Sequence, residues 1–499
     1  MDTLPTQTTT TGIHADLLTN KAAIRDTLGN SQDLIVKDMH WGSVRASLFY
    51  IEGLVDNALL HDAVIAPFMR RKPKDGEADR IDYGKVLPYL QEEVLTAGHT
   101  SVVQDMSELY NHLLSGDAIL LLNGLDKGLR VGIYGPEDRT VTEPSQQTVV
   151  RGPMEAFTEN IRTNTALIRR KIKDPGLWLE TRQIGRVTKT SVSIMYVNTI
   201  ADPRMVQEVR NRLESIDIDG ILESGYIEEL IQDKKYTPFP TLYNTERPDA
   251  VAAALLEGRA AILVDGTPFV LLVPALFVHF FQSAEDYYQR ADISSLLRVI
   301  RYLSFFIALL APSFYIAITT FHQEMLPTNL LINLAAQREG VPFPAFIEAL
   351  LMETTYEILR EAGVRMPRTV GQAVSIVGTL VIGQAAVEAG VVSAVMVILV
   401  SITAISSYVI PAVNMSISVR MLRFFLMGLA ASFGLYGILI GILIMVVHLS
   451  AISSFGVPYM SPFGPFNLRD QKDTLFRLPW RQMKRRPQLL SRDNRTRQK

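Results

Sequence analysis

The residues best placed for chemistry in this chain are polar side chains set into apolar sequence. One series recurs at intervals of three or four residues, which places its members on one face of a helix. Its members are Gln372, Ser375, Thr379 and Gly383. Gln384 and Glu388 lie four residues apart on another face. A carboxylate at membrane depth is costly and usually functional. These six residues are candidates for a pore lining, and the alternative is a helix packed inside the monomer, with Glu388 at an interfacial break.

Two carboxylates in a neighbouring apolar and acidic segment form a second candidate site. Glu353 and Glu357 follow Glu348 and lie one helical turn apart. In an oligomer they could form an acidic ring, which favours cations. The alternative is salt bridging between subunits to one of the arginines that follow, Arg360, Arg365 or Arg368.

Several kinds of chemistry are excluded by composition. The chain has no cysteine, so it has no disulfide, thiolate metal site or cysteine nucleophile. Its eight histidines are scattered and form neither H-x-x-x-H nor H-E-x-x-H, and no phosphate-binding G-x-x-x-x-G-K-[ST] motif occurs. We therefore expect no metal, no cofactor and no enzymatic activity.

Charge is distributed unevenly along the 499 residues, although the formal net charge is only −2. Residues 1–250 carry charges throughout, and the polar, Thr-rich start does not have the pattern of a signal peptide, so we expect this half to stay in the cytosol. Four later ranges are nearly free of charge: 262–282, 297–319, 372–412 and 424–447. Because one crossing needs about 20 apolar residues, these ranges predict a polytopic α-helical membrane domain.

The crossings differ in how clearly they are marked. Leu297–Thr319 and Phe424–Val447 each fit one span, whereas Gly371–Ser407 is long enough for two helices that break near Glu388. Phe269–Phe281 is shorter and contains a proline, so it is either a tilted span or an interfacial helix. The number of crossings and the side of the C-terminus stay open.

A repeated pattern in the charged half predicts two related α/β subdomains. Residues 114–124 and 256–266 both read L-x-G-x-A-x-x-L-x-x-G, with Asn or Asp before the last glycine. The pattern is typical of a helix, a glycine cap, a buried strand, a tight turn and a second strand. Its recurrence indicates a duplication, and the alternative is two ordinary hairpins of chance similarity.

The resulting organisation is an α+β, multi-domain membrane protein. We expect a disordered N-terminus over 1–30, α/β subdomains over 31–150 and 151–250, a helical transmembrane domain over 251–450, and a basic cytosolic tail over 451–499. From residue 466 to the end the tail holds eleven Lys or Arg against three Asp. It should therefore bind anionic lipid headgroups rather than nucleic acid.

A short charged motif stands where the predicted soluble and membrane halves meet. It consists of Glu246, Arg247, Pro248 and Asp249. Proline in a first helical turn beside acidic residues is typical of a helix N-terminus. The motif is also a candidate joint that couples motion of the soluble half to the pore.

Several long stretches resemble one known family, the A subunits of GerA-type spore germinant receptors. In the second half of the chain they are Tyr236–Pro240, Asn244–Asp249, Leu263–Pro274, Ala284–Arg290, Val341–Glu353, Leu359–Gly363 and Val381–Ala389. In the first half they are Asn123–Asp126, Thr142–Pro144 and Val150–Pro153. The resemblance covers roughly residues 30–480, without the basic tail.

This resemblance implies a function. Members lie in the inner membrane of dormant spores, with a cytosolic N-terminal region. They work with a transporter-like membrane B subunit that binds the germinant and with a lipoprotein C subunit. The A subunit would oligomerise and pass inorganic ions when nutrient is sensed. The alternatives are a membrane-anchored signalling scaffold of the germination complex and a non-receptor paralogue that also forms channels.

Overall fold

The computed structural model describes residues 12–42, 44–70, 83–135, 143–366, 383–491 and 494–498. The chain divides into two compact units. The first unit contains Met1–Gln232, Leu242–Pro274 and Lys484–Lys499, and the second contains Asp233–Thr241 and Ala275–Met483.

The first unit begins with a helix that Asp16 caps. The Asp16 carboxylate accepts hydrogen bonds from the amides of Leu18 and Thr19, which have no partner within the helix. The elements of this half are α1 (Leu17–Thr27), β1 (Leu34–Trp41), β2 (Val44–Ile51), α2 (Asn57–Leu60), α3 (Ala66–Arg70), α4 (Tyr83–Tyr89), β3 (Thr100–Val103), α5 (Met106–Leu113), β4 (Ala118–Leu122) and β5 (Gly128–Val131). A π-helical turn, His61–Ile65, joins α2 to α3, and another, Leu90–Val94, extends α4.

The second half of the unit begins in the same way, with Asn160 capping its first helix. Its elements are α6 (Ile161–Lys171), β6 (Leu177–Ile184), β7 (Thr190–Val197), α7 (Pro203–Glu214), α8 (Ser224–Ile231), β8 (Tyr243–Thr245), α9 (Pro248–Leu256), β9 (Ala260–Val264) and β10 (Val270–Val273).

The two five-stranded sheets have the same topology. The first has the order β1-β2-β4-β5-β3, and the second has the order β6-β7-β9-β10-β8. Every neighbouring pair in both sheets is antiparallel. In each half the third strand in sequence therefore lies at the far edge, beside the last. The predicted pair of related subdomains matches this shared topology.

The repeats also share hydrogen bonds at equivalent turns. The amide of Gly124 donates to the Ala15 carbonyl, and the amide of Gly266 donates to the Glu159 carbonyl, both at 2.8 Å. These glycines follow β4 and β9 and have φ of +92° and +89°, a conformation that side chains disfavour. Each bond ties the β-hairpin to the residue before the cap of the first helix. Chance similarity between two ordinary hairpins does not account for this agreement.

The apolar core covers both faces of the first sheet. Alternate residues of β4 point to opposite faces: Ala118, Leu120 and Leu122 join one buried cluster, whereas Ile119 and Leu121 join another. All five residues are buried, which explains why this strand reads as an unbroken apolar run.

A buried ion pair joins the two repeats. The Arg169 guanidinium on α6 is fully buried and donates to both oxygens of Asp33, at 2.7 and 3.0 Å. A third donor of Arg169 reaches the Leu177 carbonyl at 2.8 Å. The Trp178 indole N–H also crosses between the repeats, to the Thr27 carbonyl at 3.2 Å. The repeats are therefore held by paired charge rather than by apolar contact alone.

The second unit is mainly helical. Its elements are two 3₁₀ helices (Phe277–Phe281 and Ala284–Tyr287), α10 (Ala291–Thr320), a 3₁₀ turn (Gln323–Met325), α11 (Thr328–Arg338), α12 (Ala345–Arg365), α13 (Gly383–Glu388), α14 (Ala394–Val409), α15 (Val413–Ser450), the short strands β11 (Ser453–Ser454) and β12 (Val457–Pro458), and 3₁₀ turns at Asp470–Lys472 and Trp480–Gln482.

Two of the helices in the described part of the chain are long and apolar enough to cross a membrane: α10 and α15. The helix α14 is apolar but has only 16 residues. With 38 residues, α15 would extend about 57 Å at about 1.5 Å per residue, which exceeds a bilayer. It bends at Gly434, where φ is +59° and an added Cβ would lie 2.8 Å from a carbon of the His322 ring.

Several of the predicted domain boundaries differ from those in the structure. Phe269–Phe281 contains β10 and a 3₁₀ helix, not a span, because a strand buried between two neighbours is as apolar as a membrane segment. The second α/β subdomain consequently extends beyond 250, and the helical segment does not start at 251.

Both termini also differ from the prediction. The range 1–30, expected to be disordered, contains α1, which buries Leu17 and Ile24 on one face. The tail over 451–499 is divided, because Ala275–Met483 belongs to the second unit and Lys484–Lys499 to the first. Leu490 is buried within the first unit, so the tail is more than a solvated basic arm.

Replacing Asp33 with asparagine should destabilise the first unit by about 3–5 kcal/mol, because it leaves the Arg169 charge buried without a counter-charge. Thermal unfolding of the full chain in detergent should show the first unit melting at a clearly lower temperature. Lys21→Met is the matched control. It removes a pair whose Asp38 side chain is 60% exposed, and it should change stability by less than about 1 kcal/mol. Equal effects of the two substitutions would contradict the assignment.

Glu228 on α8 should make the first unit less stable as the pH rises. Burial, together with the nearby charge of Glu223, raises the pKa of Glu228 to about 7. The folded state therefore holds this proton more tightly than the unfolded state, and stability falls between about pH 4.5 and pH 7. Glu228→Gln should raise the melting temperature by a few degrees relative to the wild type at pH 8. At pH 5 this difference in melting temperature should be smaller. Glu229→Gln, at an exposed neighbour, should show no such pH-dependent gain.

Candidate functional site

Three glutamates of the helix α12, Glu348, Glu353 and Glu357, form polar contacts with other elements of the second unit. The first of them contacts the N-terminus of α14. Glu348 is fully buried and accepts hydrogen bonds from the Ser393 amide at 2.6 Å and the Ser393 hydroxyl at 2.5 Å. Ser393 is the N-cap of α14 and accepts from the Met396 amide. Arg338 lies 3.8 Å from the other Glu348 oxygen. Glu348 therefore orients α14 relative to α12.

The second carboxylate, Glu353, forms a buried ion pair with Arg423. Both side chains are almost completely buried. Arg423 lies on α15, and its Nε donates to the Ala308 carbonyl on α10 at 2.8 Å. One guanidinium thus joins α10, α12 and α15. A buried charge of this kind is tolerated because it is paired.

The third carboxylate, Glu357, lies between two guanidinium groups. Its Oε2 oxygen lies 3.0 Å from Arg360 Nε and 3.0 Å from Arg420 Nη1. The predicted alternative named Arg360, Arg365 and Arg368 as partners. The structure shows Arg360 in this role within the chain, whereas Arg365 pairs with Glu361 and Arg368 lies outside the described residues.

These contacts constrain the predicted acidic ring. The charge of Glu353 is neutralised inside the chain by Arg423. It could therefore bind a cation in a pore only if that ion pair separated. Glu357 is a quarter exposed but faces two cations. The ring itself stays a prediction.

The predicted pore helix is described only at its C-terminal end. Gln384 and Glu388 lie on α13, are exposed, and are joined by a hydrogen bond of 2.8 Å, while Gly383 is buried. Gly390 has φ of +65°, which ends the helix close to the predicted break. Gln372, Ser375 and Thr379 lie outside the described residues.

The predicted coupling joint lies inside the first unit, at the start of α9. The Glu246 carboxylate accepts hydrogen bonds from the amides of Gln146 and Gln147, at 2.6 and 2.9 Å. Arg247 donates to the carbonyls of Gln147 and Pro153 and also reaches the Asp249 carboxylate, at 2.8–3.0 Å.

In this geometry Pro248 occupies the first turn of α9, as predicted. Glu246 and Arg247 hold the chain segment that links the two repeats. Their role in coupling to a pore stays a prediction, since the contacts that define them belong to the first unit.

A second charged cluster in the helical unit was missed from the sequence. Buried Asp286 accepts from Arg298 at 2.9 Å and from Arg301 at 2.7 Å, and Arg298 also reaches Asp473 at 2.7 Å. The Tyr287 hydroxyl donates to the same Asp473 at 2.7 Å. This cluster anchors the start of α10 to the segment after β12.

The sequence does indicate that buried acidic partners are needed in this unit. Four arginines, Arg298, Arg301, Arg420 and Arg423, interrupt otherwise apolar helices, and a charge in such a position requires a partner. In the described part of the chain, no group of three or more His, Asp or Glu is arranged to hold a metal ion.

The fold and its charged helices define a two-part protein, in which a tandem α/β repeat is followed by a helical unit with two candidate spans. The sequence pattern of one family, described as Bacillus/Clostridium GerA spore germination protein, matches residues 22–489. The chain therefore belongs to the GerA family, which confirms the resemblance seen in its motifs.

Individual relatives match over almost the whole chain. Spore germination protein KA of Bacillus subtilis (strain 168) is 50% identical over 489 residues, which are 97% of this chain and 89% of the relative. A protein of the same organism described as uncharacterized membrane protein YfkQ is 46% identical, over 93% and 89%. The crystal structure of the N-terminal domain of the A subunit of the Bacillus megaterium spore germinant receptor GerK3 is 43% identical over 54% of this chain and 98% of that domain, with a TM-score of 0.43.

Two variants should test whether the Glu353–Arg423 ion pair stabilises the helical unit. Arg423→Met leaves Glu353 buried without a partner, which should cost about 3–5 kcal/mol and reduce the amount of assembled protein in the membrane. The double variant Glu353→Met, Arg423→Met should restore much of that amount, because no charge is left unpaired. Yield after detergent extraction and size-exclusion chromatography measures this. A double variant as poor as the single one would contradict the pairing.

Proposed function

We propose that this chain is the A subunit of a spore germinant receptor and that its copies assemble in the spore inner membrane into a nutrient-gated ion channel that starts germination. Family membership and relatives named for spore germination support the germination role. The helical unit supports the membrane and channel roles.

The observation that carries the proposal is that charged residues in that unit are buried while large apolar residues are exposed. On α10, Leu296, Val299 and Leu303 are exposed, whereas Arg298 and Arg301 between them are buried and paired. A water-facing helix shows the opposite arrangement. Lipid, or the apolar surface of another subunit, is the environment in which exposed apolar and buried charged residues are both stable.

The same arrangement recurs on α15. Its exposed large apolar residues are Val413, Ile417, Met421, Phe425, Phe433, Tyr436, Leu439, Ile440, Leu443, Ile444, Val446 and Val447. Arg420 and Arg423 of the same helix are buried against α12 and α10. An exposed apolar surface of this extent marks an interaction site, so α15 contacts lipid or neighbouring subunits along most of its length.

Within the receptor, the chain works with a transporter-like B subunit that binds the nutrient and with a lipoprotein C subunit. Nutrient binding opens the channel only if the bound partner prefers the open state. The N-terminal repeats lie in the cytosol, and the basic residues near the C-terminus contact anionic lipid headgroups. The chain conducts inorganic ions without catalysis or cofactor.

Ion flux through the receptor in liposomes tests this proposal. The complex with its B-type and C-type partners should pass ions when nutrient is added, and Thr379→Trp should abolish the flux because a bulky side chain would occlude the predicted lumen. Leu443→Trp is the matched control. It adds the same side chain at an exposed apolar position of α15 and should conduct normally.

Three outcomes are decisive. No flux from correctly assembled wild-type complex would overturn the channel and favour a signalling scaffold. Flux that Thr379→Trp leaves intact would remove this helix from the pore. Flux that needs neither nutrient nor a B-type partner would favour the non-receptor channel.

A further inference from the structure

The last part of the chain folds against the first unit. Its described residues are 484–491 and 494–498, which we call the C-terminal segment. The amides of Arg486 and Arg497 each donate at 2.9 Å to a carbonyl at the opposite end of the segment. The pairing between these two ends is antiparallel. The segment therefore forms a closed loop with defined contacts.

Arg486 attaches this loop to the end of α9. Its Nε donates to the carbonyl of Leu256, the last residue of that helix, at 2.7 Å. Carbonyls in a final helical turn lack partners within the helix, and they carry partial negative charge that attracts a cation. The Arg486 Nη1 donates to the Thr496 carbonyl at 2.6 Å and to the Asn494 side chain at 2.8 Å. One guanidinium thus closes the loop and binds it to α9.

A second attachment is made by Leu490 and Ser491, both of which are buried. The Leu490 carbonyl oxygen lies over Gly258, where φ is +96° and an added Cβ would be only 2.6 Å away. Ser491 forms an antiparallel bridge with Ala201. The backbone of the segment therefore fits closely against the turn that follows α9.

The remaining contacts are polar and leave the segment easy to detach. Arg497 pairs with Glu257 at 2.9 Å, and both side chains are partly exposed. Burial, together with the nearby charge of Arg497, lowers the pKa of Arg486, so its positive charge is less stable here than in water. Of the described residues of the segment, only Leu490 and Ser491 are buried. A region with so few buried contacts opens at low free-energy cost.

The charge of this part of the chain gives it a second possible partner. Residues 484–499 contain seven Lys or Arg and one Asp. Near an anionic lipid surface each basic residue contributes about 1 kcal/mol of attraction. A guanidinium that already donates to a carbonyl or a carboxylate cannot at the same time bind a lipid phosphate with the same N–H groups. Docking on α9 and binding to lipid through Arg486 and Arg497 therefore exclude each other.

We propose that the C-terminal segment is a releasable clasp, which docks on the end of α9 and leaves it when an anionic lipid surface binds its arginines. The proposal rests on the lipid contact in the proposed function, but not on ion conduction. The helix α9 begins within the candidate coupling joint, at Pro248. Release of the clasp removes the contact at the other end of that helix.

Hydrogen–deuterium exchange on the full chain tests this clasp, in nanodiscs of phosphatidylcholine alone or of phosphatidylcholine and phosphatidylglycerol in equal parts. In phosphatidylcholine, the amides of Arg486, Ser491 and Arg497 should be protected, because each donates to a carbonyl of the segment. With phosphatidylglycerol they should exchange roughly tenfold faster, because the anionic surface competes for the arginines.

Two variants separate the docked contact from the charge. Arg486→Gln removes the bond to α9, so protection of the segment should be lost even in phosphatidylcholine. Arg485→Gln is the matched control, since it removes the same charge from an exposed neighbouring side chain. It should keep the protection in phosphatidylcholine and weaken the effect of phosphatidylglycerol. Slow exchange of β9 in each variant verifies the fold.

Rapid exchange of the wild-type segment in phosphatidylcholine would overturn the docked state. Equal protection in the two kinds of nanodisc would overturn release by lipid, and an Arg485→Gln variant as unprotected as Arg486→Gln would overturn the specific contact. Since exchange is measured without nutrient or ion flux, lipid-dependent release in a complex that fails to conduct would overturn the channel and support the clasp.

Discussion

Buried arginines must be paired, and the architecture of both units depends on how this chain meets that requirement. A guanidinium removed from water is stable only when carboxylates and carbonyls replace its hydration. Arg169 meets Asp33 and Leu177 in the first unit, and Arg423 meets Glu353 and Ala308 in the second. In both cases the guanidinium joins elements that are distant in sequence, so the pairing fixes their relative positions.

Such pairing fits the membrane role proposed for the helical unit, whose helices α10 and α15 are candidate spans. Between helices in lipid, apolar contact alone gives little preference for one arrangement over another, since the acyl chains are equally apolar. The Arg298–Asp286–Arg301 cluster and the Glu353–Arg423 pair add that preference, because sliding either helix by one turn would leave a charge unpaired. Paired charge therefore sets the register of α10 and α15 against their neighbours.

Local patterns predicted more of this molecule than did arguments about distant contacts. The repeated pattern ending at Gly124 and Gly266 predicted the two related subdomains, because the residue types that form a turn lie within a few positions of one another. The strand β10 was predicted as the second strand of this pattern but also as part of the possible span Phe269–Phe281, since a strand buried on both faces and a membrane span are both uninterrupted apolar runs. Glu353 was linked to nearby arginines, whereas its partner is 70 residues away, a pairing that only the packed helices reveal.

Two equivalent arginines of the repeats differ in their burial. Asn20 and Asn164 occupy the same position in α1 and α6, since each side chain bonds a backbone group six residues earlier. Five residues later these helices carry Arg25 and Arg169. Arg25 is exposed, whereas Arg169 is buried because α6 packs against the first repeat, which supplies Asp33. The two repeats thus present like surfaces, and at the junction between them one arginine forms the ion pair that joins them.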